Sequence, residues 1–149
     1  MISKKAKYAI NALVYIAKHE NKKPISVMNI AENQNIPLRF LENILFELKN
    51  AQILTSKRGK YGGYLLNASP DEIHMAKIMR MFDGAIGLLP CVTYKYYEKC
   101  EECVDEATCG IRQVAMEIRN ETVKRLKKST LSDIIERENK LKSIEVDKK

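Results

Sequence analysis

ISVMNIAENQNIPLRFLENILFELKNAQILTSKRGKYGGYLL, residues Ile25 to Leu66, is the stretch that decides the fold. Ser26 is a residue type that caps orphan helix N–H groups, and Val27, Ile30 and Ala31 then share one face at helical spacing. Asn33, Gln34 and Asn35 break the pattern. Pro37 suits the first turn of a second helix, where its missing N–H costs nothing, and Leu38, Leu41, Leu45 and Leu48 form an inward stripe. Arg39, Phe40, Asn43 and Glu47 are left pointing away from the core. Ile53 to Lys57 and Gly63 to Leu66 have strand composition, with the basic, glycine-rich run Lys57-Arg58-Gly59-Lys60-Tyr61-Gly62-Gly63 turning between them. Helix, turn, helix followed by a small hairpin is a winged helix-turn-helix, whose second helix enters the DNA major groove.

Residue chemistry on that outer face suits base readout. An Arg fork pairs with guanine and an Asn amide with adenine, and Arg39 and Asn43 stand four apart. Lys57, Arg58 and Lys60 converge on a hairpin tip where glycines let the backbone approach a surface closely. Ser3 and Lys4 in the basic N-terminal stretch, and Tyr61 at the tip, complete the expected DNA-contacting set of Ser3, Lys4, Arg39, Phe40, Asn43, Arg58, Lys60 and Tyr61.

IPLRFLENIL followed by RGKYGGYLL resembles the recognition helix and wing of the bacterial winged helix-turn-helix regulators that include IscR, NsrR and CymR. The resemblance runs from about Met1 to Ile135. It implies a homodimer on a palindromic operator in double-stranded DNA, with Arg39, Phe40 and Asn43 facing the major groove and Arg58 entering the minor groove.

Charge is distributed to match. The 149 residues carry a formal net charge of +7. Residues 1–70 hold 11 Lys and Arg against 4 Asp and Glu, whereas residues 71–149 hold 15 of each, so the whole excess lies on the part expected to touch DNA. A local basic excess also suits anionic membrane, but no stretch approaches the ~18 apolar residues of a span. No signal-peptide pattern precedes the first helix, so a cytoplasmic protein is expected.

The fold expected is mainly α with a small β wing, a winged helix-turn-helix plus a long dimerisation helix. Residues 1–84 form the DNA-binding domain with its following helix, 85–110 a cysteine-rich sensor loop, 111–135 a dimerisation region and 136–149 a charged tail. A first helix is expected over Tyr8 to Lys18, with Ala9, Ile10, Leu13, Ile16 and Ala17 inward, and Asn21 to Pro24 form a loop. Ser69-Pro70-Asp71-Glu72 begins the helix that ends near Asp83-Gly84. Ile111, Ala115, Ile118, Thr122 and Leu126 make a narrow apolar seam that needs a partner, either its own domain or a second copy. A short last helix around Leu131, Ile134 and Ile135 precedes a tail expected to be unstructured from Lys140.

All four cysteines, Cys91, Cys100, Cys103 and Cys109, fall in PCVTYKYYEKCEECVDEATCG. Clustered thiolates are soft ligands for zinc, copper(I) or iron–sulfur centres. Only Cys100 and Cys103 have C-x-x-C spacing, so a zinc ribbon is not indicated. Glu98, Glu101, Glu102, Asp105 and Glu106 outnumber Lys95 and Lys99 and disfavour a free thiolate, which favours a metal-bound set over reactive thiols. The resemblance implies an iron–sulfur cluster held by three loop cysteines, Cys91 and Cys109 matching the outer pair and Cys103 the middle one by its spacing to Cys109. The family's fourth-ligand positions fall on Arg112 and Lys7, leaving Cys100 as substitute.

His19 and His74 fit solvated surface rather than a ligand or base, and no glycine-rich phosphate loop or nucleophile–base–acid set is present, so an enzyme is not expected. Two alternatives accompany a cluster-sensing regulator: a cluster-free regulator answering to a metabolite or partner protein, and a cysteine-rich metal or iron–sulfur carrier that never reads DNA.

Overall fold

A computed structural model describes residues 2–19 and 23–146. Met1, Glu20, the Asn21 and Lys22 half of the expected loop, and the last three residues of the expected tail lie outside the described residues. The elements are α1 (Lys4–His19), α2 (Val27–Gln34), α3 (Leu38–Asn50), β1 (Leu54–Lys57), β2 (Gly63–Leu66), α4 (Met75–Phe82), a 3-10 turn at Pro90–Val92, α5 (Gly110–Lys128) and α6 (Leu131–Val146). No described helix is long and apolar enough to cross a membrane.

α1 is the hub, touching α2, α3, α4, α6 and β2. Because neighbours surround it, Ala6, Ala9, Ala12, Leu13, Val14 and Ile16 are buried, a wider face than one stripe supplies, while Ile10 and Ala17 are only partly covered. It starts at Lys4, ahead of the expected Tyr8, because Ser3 Oγ accepts the Ala6 N–H at 3.1 Å and caps the helix. Ser26 Oγ caps α2 in the same way, accepting from Asn29 N at 3.2 Å. Asn35, at φ 51°, ends α2 in the left-handed conformation, its short polar side chain tolerating what a branched one resists.

On α3 the buried residues are Leu41, Ile44, Leu45 and Leu48, at positions i, i+3, i+4 and i+7. Leu38, expected in that stripe, is exposed, and Ile44 takes the inward place. The helix is entered from Pro37, whose carbonyl accepts from Phe40 N and Leu41 N, both at 3.0 Å.

β1 and β2 pair antiparallel from Leu54 opposite Leu66 to Lys57 opposite Gly63. Ile25 adds a short third rung: its N–H donates to Tyr64 O at 3.0 Å and its carbonyl accepts from Tyr64 N at 2.9 Å. The wing is thereby tied to the entrance of α2.

Three expectations for the second half are corrected. Ser69 to Glu72 form a turn, and α4 begins only at Met75. The intervening backbone pairs across the fold, Leu131 N donating to Ile73 O at 3.0 Å and Met75 N to Ser129 O at 2.8 Å, so it is held extended. His74, expected within a helical turn, instead caps α4, its Nδ1 accepting from Lys77 N at 3.2 Å. Instead of a short helix around Leu131, Ile134 and Ile135 followed by a charged tail over 136–149, one helix runs from Leu131 to Val146. Thr130 and Asp133 cap α6 reciprocally, Thr130 N donating to Asp133 Oδ2 at 2.8 Å and Asp133 N to Thr130 Oγ1 at 3.2 Å. Leu131 is fully buried in the main core, and Lys18 on α1 pairs with Glu138, so α6 belongs to the DNA-binding body.

Candidate nucleic-acid interface and cysteine loop

Periodicity that turns Leu41, Ile44, Leu45 and Leu48 inward leaves Arg39 and Asn43 exposed on the opposite side of α3. Neither side chain has a hydrogen-bond partner among the described residues, so the Arg fork and the Asn amide are free for base edges. Phe40 is 43% exposed and sets its ring edge-on to Tyr8 of α1, centroids 5.9 Å apart, so it also fixes α3 against α1. Glu47, grouped by sequence with the outward face, is turned to α1 instead: Lys5 Nζ donates to its two carboxylate oxygens at 2.7 and 3.0 Å. That pairing was illegible locally because the partners lie 42 residues apart.

Ser3 and Lys4 sit at the N-terminus of α1. The Ser3 hydroxyl oxygen is engaged as a cap and its N–H donates to Asp83 Oδ2 at 3.2 Å, while Lys4 is exposed. In the wing, Lys57, Arg58, Lys60 and Tyr61 are exposed, with Lys60 Nζ 5.8 Å from the Tyr61 ring centroid. The tip is shaped by Gly59, at φ 111°, and by Gly62, where a Cβ would lie 2.4 Å from Lys57 O. The expected contacts thus fall on three elements, the start of α1, α3 and the wing.

Sequence reasoning missed Lys23 and Asn29. Both line a cavity of about 670 Å³ between α1, the entrance of α2 and the wing, together with Ser26, Lys60 and Tyr61. The Ile25–Tyr64 rung and the Tyr15 hydroxyl of α1, which donates to Asn29 Oδ1 at 2.6 Å, bring them together, and no local pattern announces it. Tyr64 beside this rung has its pKa raised, first by burial and then by the Glu42 carboxylate of α3.

The cysteine loop is anchored at both ends to α5. Cys91 is 4% exposed, packing with Val92 and Ala115 in a small second core. Cys109 caps α5, its sulfur accepting from Arg112 N at 3.5 Å. Between them, Cys100 Sγ donates to Glu102 Oε2 at 3.1 Å, and this bond pushes the thiol pKa up. Cys103 is raised too, first by lost hydration and then by its hydrogen bond with Cys109. No three His, Cys, Asp or Glu side chains among the described residues converge as metal ligands. Chemically the donor set suits a thiolate-held cluster, with four soft donors on one loop.

A free Arg–Asn face on the second of two helices, beside a basic hairpin, defines a winged helix-turn-helix DNA-binding protein. The chain belongs to the Rrf2 family, described as iron-dependent transcriptional regulators, which it matches over residues 2–137. It is 38% identical over 121 residues to the rrf2-like HTH-type transcriptional regulator of Rhodobacter capsulatus, covering 79% of this chain and 81% of the relative. It is also 32% identical over 90 residues to IscR of Aliivibrio salmonicida, covering 60% of this chain and 54% of that protein. Among solved structures, CymR, the global cysteine regulator of B. subtilis, superposes with a TM-score of 0.75 at 30% identity, covering 91% of this chain and 96% of CymR. These relatives are transcriptional regulators rather than enzymes, and so is this chain.

Proposed function

We propose that this DNA-binding regulator acts as a homodimer on a palindromic operator, and that its cysteine loop reports iron–sulfur, redox or nitric oxide status to the reading heads. The observation that carries the sensing reading is structural continuity: the loop bearing all four cysteines closes on α5, α5 packs on α4, and α4 packs on the hub helix α1.

Dimerisation is supported by apolar surface that no described residue covers. Ile111, Val114 and Ile118 are 74, 56 and 46% exposed along one side of α5, beside Leu88 at 67%. Ala115 and Leu126, expected in the same seam, pack within the chain, so the face offered to a second copy is Leu88, Ile111, Val114 and Ile118.

Cys91, Cys103 and Cys109, with Cys100 as fourth donor, would hold a cluster, which when bound supplies electron-transfer and ligand-exchange chemistry. The chain's own contribution is mechanical. Arg119 of α5 donates from Nη1 to Val92 O at 3.1 Å, so the residue after Cys91 cannot shift without disturbing α5. Loop states that differ in this contact bias the placement of the two heads, by population shift.

Anaerobic purification with absorbance and iron analysis tests the sensor. Cys91→Ala, Cys103→Ala and Cys109→Ala are each expected to abolish the chromophore, with Cys100→Ala weakening it. Operator affinity is expected to differ about five- to 150-fold between holo and variant proteins, the range of a ~1 to 3 kcal/mol coupling. Equal affinities would leave DNA binding standing and defeat the sensor. The engagement of Cys100 Sγ with Glu102 and of Cys109 Sγ as the cap of α5 favours one second reading, a cluster-free regulator; iron-free protein with unchanged operator affinity in all four variants supports it.

A further inference from the structure

Among the described residues Arg119 is the one buried charged side chain, 7% exposed, and no carboxylate lies within ion-pair distance. Its donors meet neutral acceptors: Nη1 reaches Val92 O, while Nε at 3.2 Å and Nη2 at 2.5 Å reach Asn120 Oδ1. The guanidinium carbon lies 4.1 Å from the Tyr94 ring centroid. The bonds to Val92 and Asn120 engage three of the five N–H groups, and a buried cation without a counter-charge is costly.

The cation lines a cavity of about 470 Å³ between α4, the segment 84–96 and α5, a volume in the range of metabolite sites. Arg80 from α4 and Lys95 line it as well, with Thr93, Tyr94 and Tyr96, and no carboxylate is among its lining residues. Neither Arg80 nor Lys95 forms an ion pair among the described residues. On the far side of Tyr94 and Arg119 a smaller cavity of about 210 Å³ contains Arg112, seven residues before Arg119, whose Nε is buried with no hydrogen-bond partner. Four cations therefore gather around one tyrosine. On α5, Arg112 and Arg119 occupy a different stripe from Ile111, Val114 and Ile118.

We propose that this cleft binds a small organic oxyanion, carboxylate or phosphate, whose flat or apolar body packs on Tyr94 and Tyr96 while Arg80, Lys95 and Arg119 hold its charge. Its effect as a regulator rests on the DNA-binding reading; its binding does not. An anion here clamps the segment 84–96 onto α4 and α5, the same joint through which the cysteine loop reaches the reading head, and so acts as an effector.

Calorimetry on the full chain with benzoate and with phenyl phosphate, at ionic strength matched with sodium chloride, tests the site and distinguishes the two acid types. Saturable binding of at least one, at one site per chain, is expected. Arg80→Gln and Lys95→Gln, whose side chains have no hydrogen-bond partner among the described residues, are each expected to weaken it about five- to tenfold. Lys57→Gln in the wing is expected to leave it unchanged. No saturable binding of either probe, wild-type affinity in both cleft variants, or loss through Lys57→Gln would each overturn the site. With binding intact, an operator affinity unmoved by the bound probe would overturn the effector role, whereas a chain that binds the probe but no DNA would sink the regulator reading and leave the site standing.

Discussion

Replacing Gly63 by alanine tests how the wing is held against α2. Gly63 is at φ 151°, and a Cβ there would lie 2.2 Å from Ile25 O, 2.4 Å from Ile25 C and 2.8 Å from Ser26 N. All three are backbone atoms, so no side chain can swing away to relieve the clash. Relief requires moving Ile25 off β2, which gives up its two hydrogen bonds with Tyr64 at 2.9 and 3.0 Å. At ~1 kcal/mol net each, plus ~1 kcal/mol for an unfavourable backbone conformation, the expected destabilisation is about 3 kcal/mol. The entropic gain from removing a glycine, ~0.4 to 1 kcal/mol, is too small to reverse the sign. For a chain of this size that amounts to roughly 6 to 12 °C in Tm. Thermal unfolding followed by circular dichroism at fixed protein concentration reads it. Gly110→Ala, whose Cβ meets nothing within 4 Å at the start of α5, is the control and should equal or exceed wild type. A Gly63→Ala protein melting within about 2 °C of wild type would refute the close-approach argument.

Lys60→Ala is expected to weaken binding to all DNA sequences alike and to lower the salt slope by about one, the signature of a phosphate contact; an unchanged slope counts against it. Ile118→Glu places a charge on the uncovered face of α5, so sedimentation should show the dimer dissociating; one species before and after means that this face is not the interface. Asp133 has its pKa lowered, first by the Thr130 N–H and then by its hydroxyl, so its stabilising contribution is present above the unfolded carboxylate pKa of about 3.9 and is lost as pH falls through the lower folded value. Asp133→Asn should therefore be less stable than wild type above pH ~5, with the two unfolding curves converging in acid; a constant offset down the whole titration would contradict the cap.

Much of the DNA-reading head was legible in the sequence because its information is local. Ser26, Asn35 and Pro37 act within a few residues of themselves, the leucine spacing of α3 sets its buried face, and the glycine-rich run from Lys57 to Gly63 between two strand-like segments names a hairpin. Clustering of the four cysteines within 19 positions was equally plain. The misplaced elements were those whose partners are distant. Ile73 and His74 read as helix, and their pairing with the backbone at Ser129 to Leu131 holds them extended. The polar end of α6 read as tail, yet it continues a helix capped by Thr130 and Asp133 and pinned to α1 through Lys18.

By itself, then, the sequence determined which segments form a helix-turn-helix and wing, where the excess positive charge lies and which residues bring soft ligands, because periodicity, capping and composition are properties of neighbouring residues. Only the tertiary structure decided that Glu47 turns to Lys5, that Ile25 joins the wing, that Ala115 and Leu126 face inward while Val114 faces out, and that Arg119 is buried beneath Val92 and Tyr94. Each of those outcomes depends on which surface covers a residue, and that surface comes from a part of the chain that local patterns do not reach.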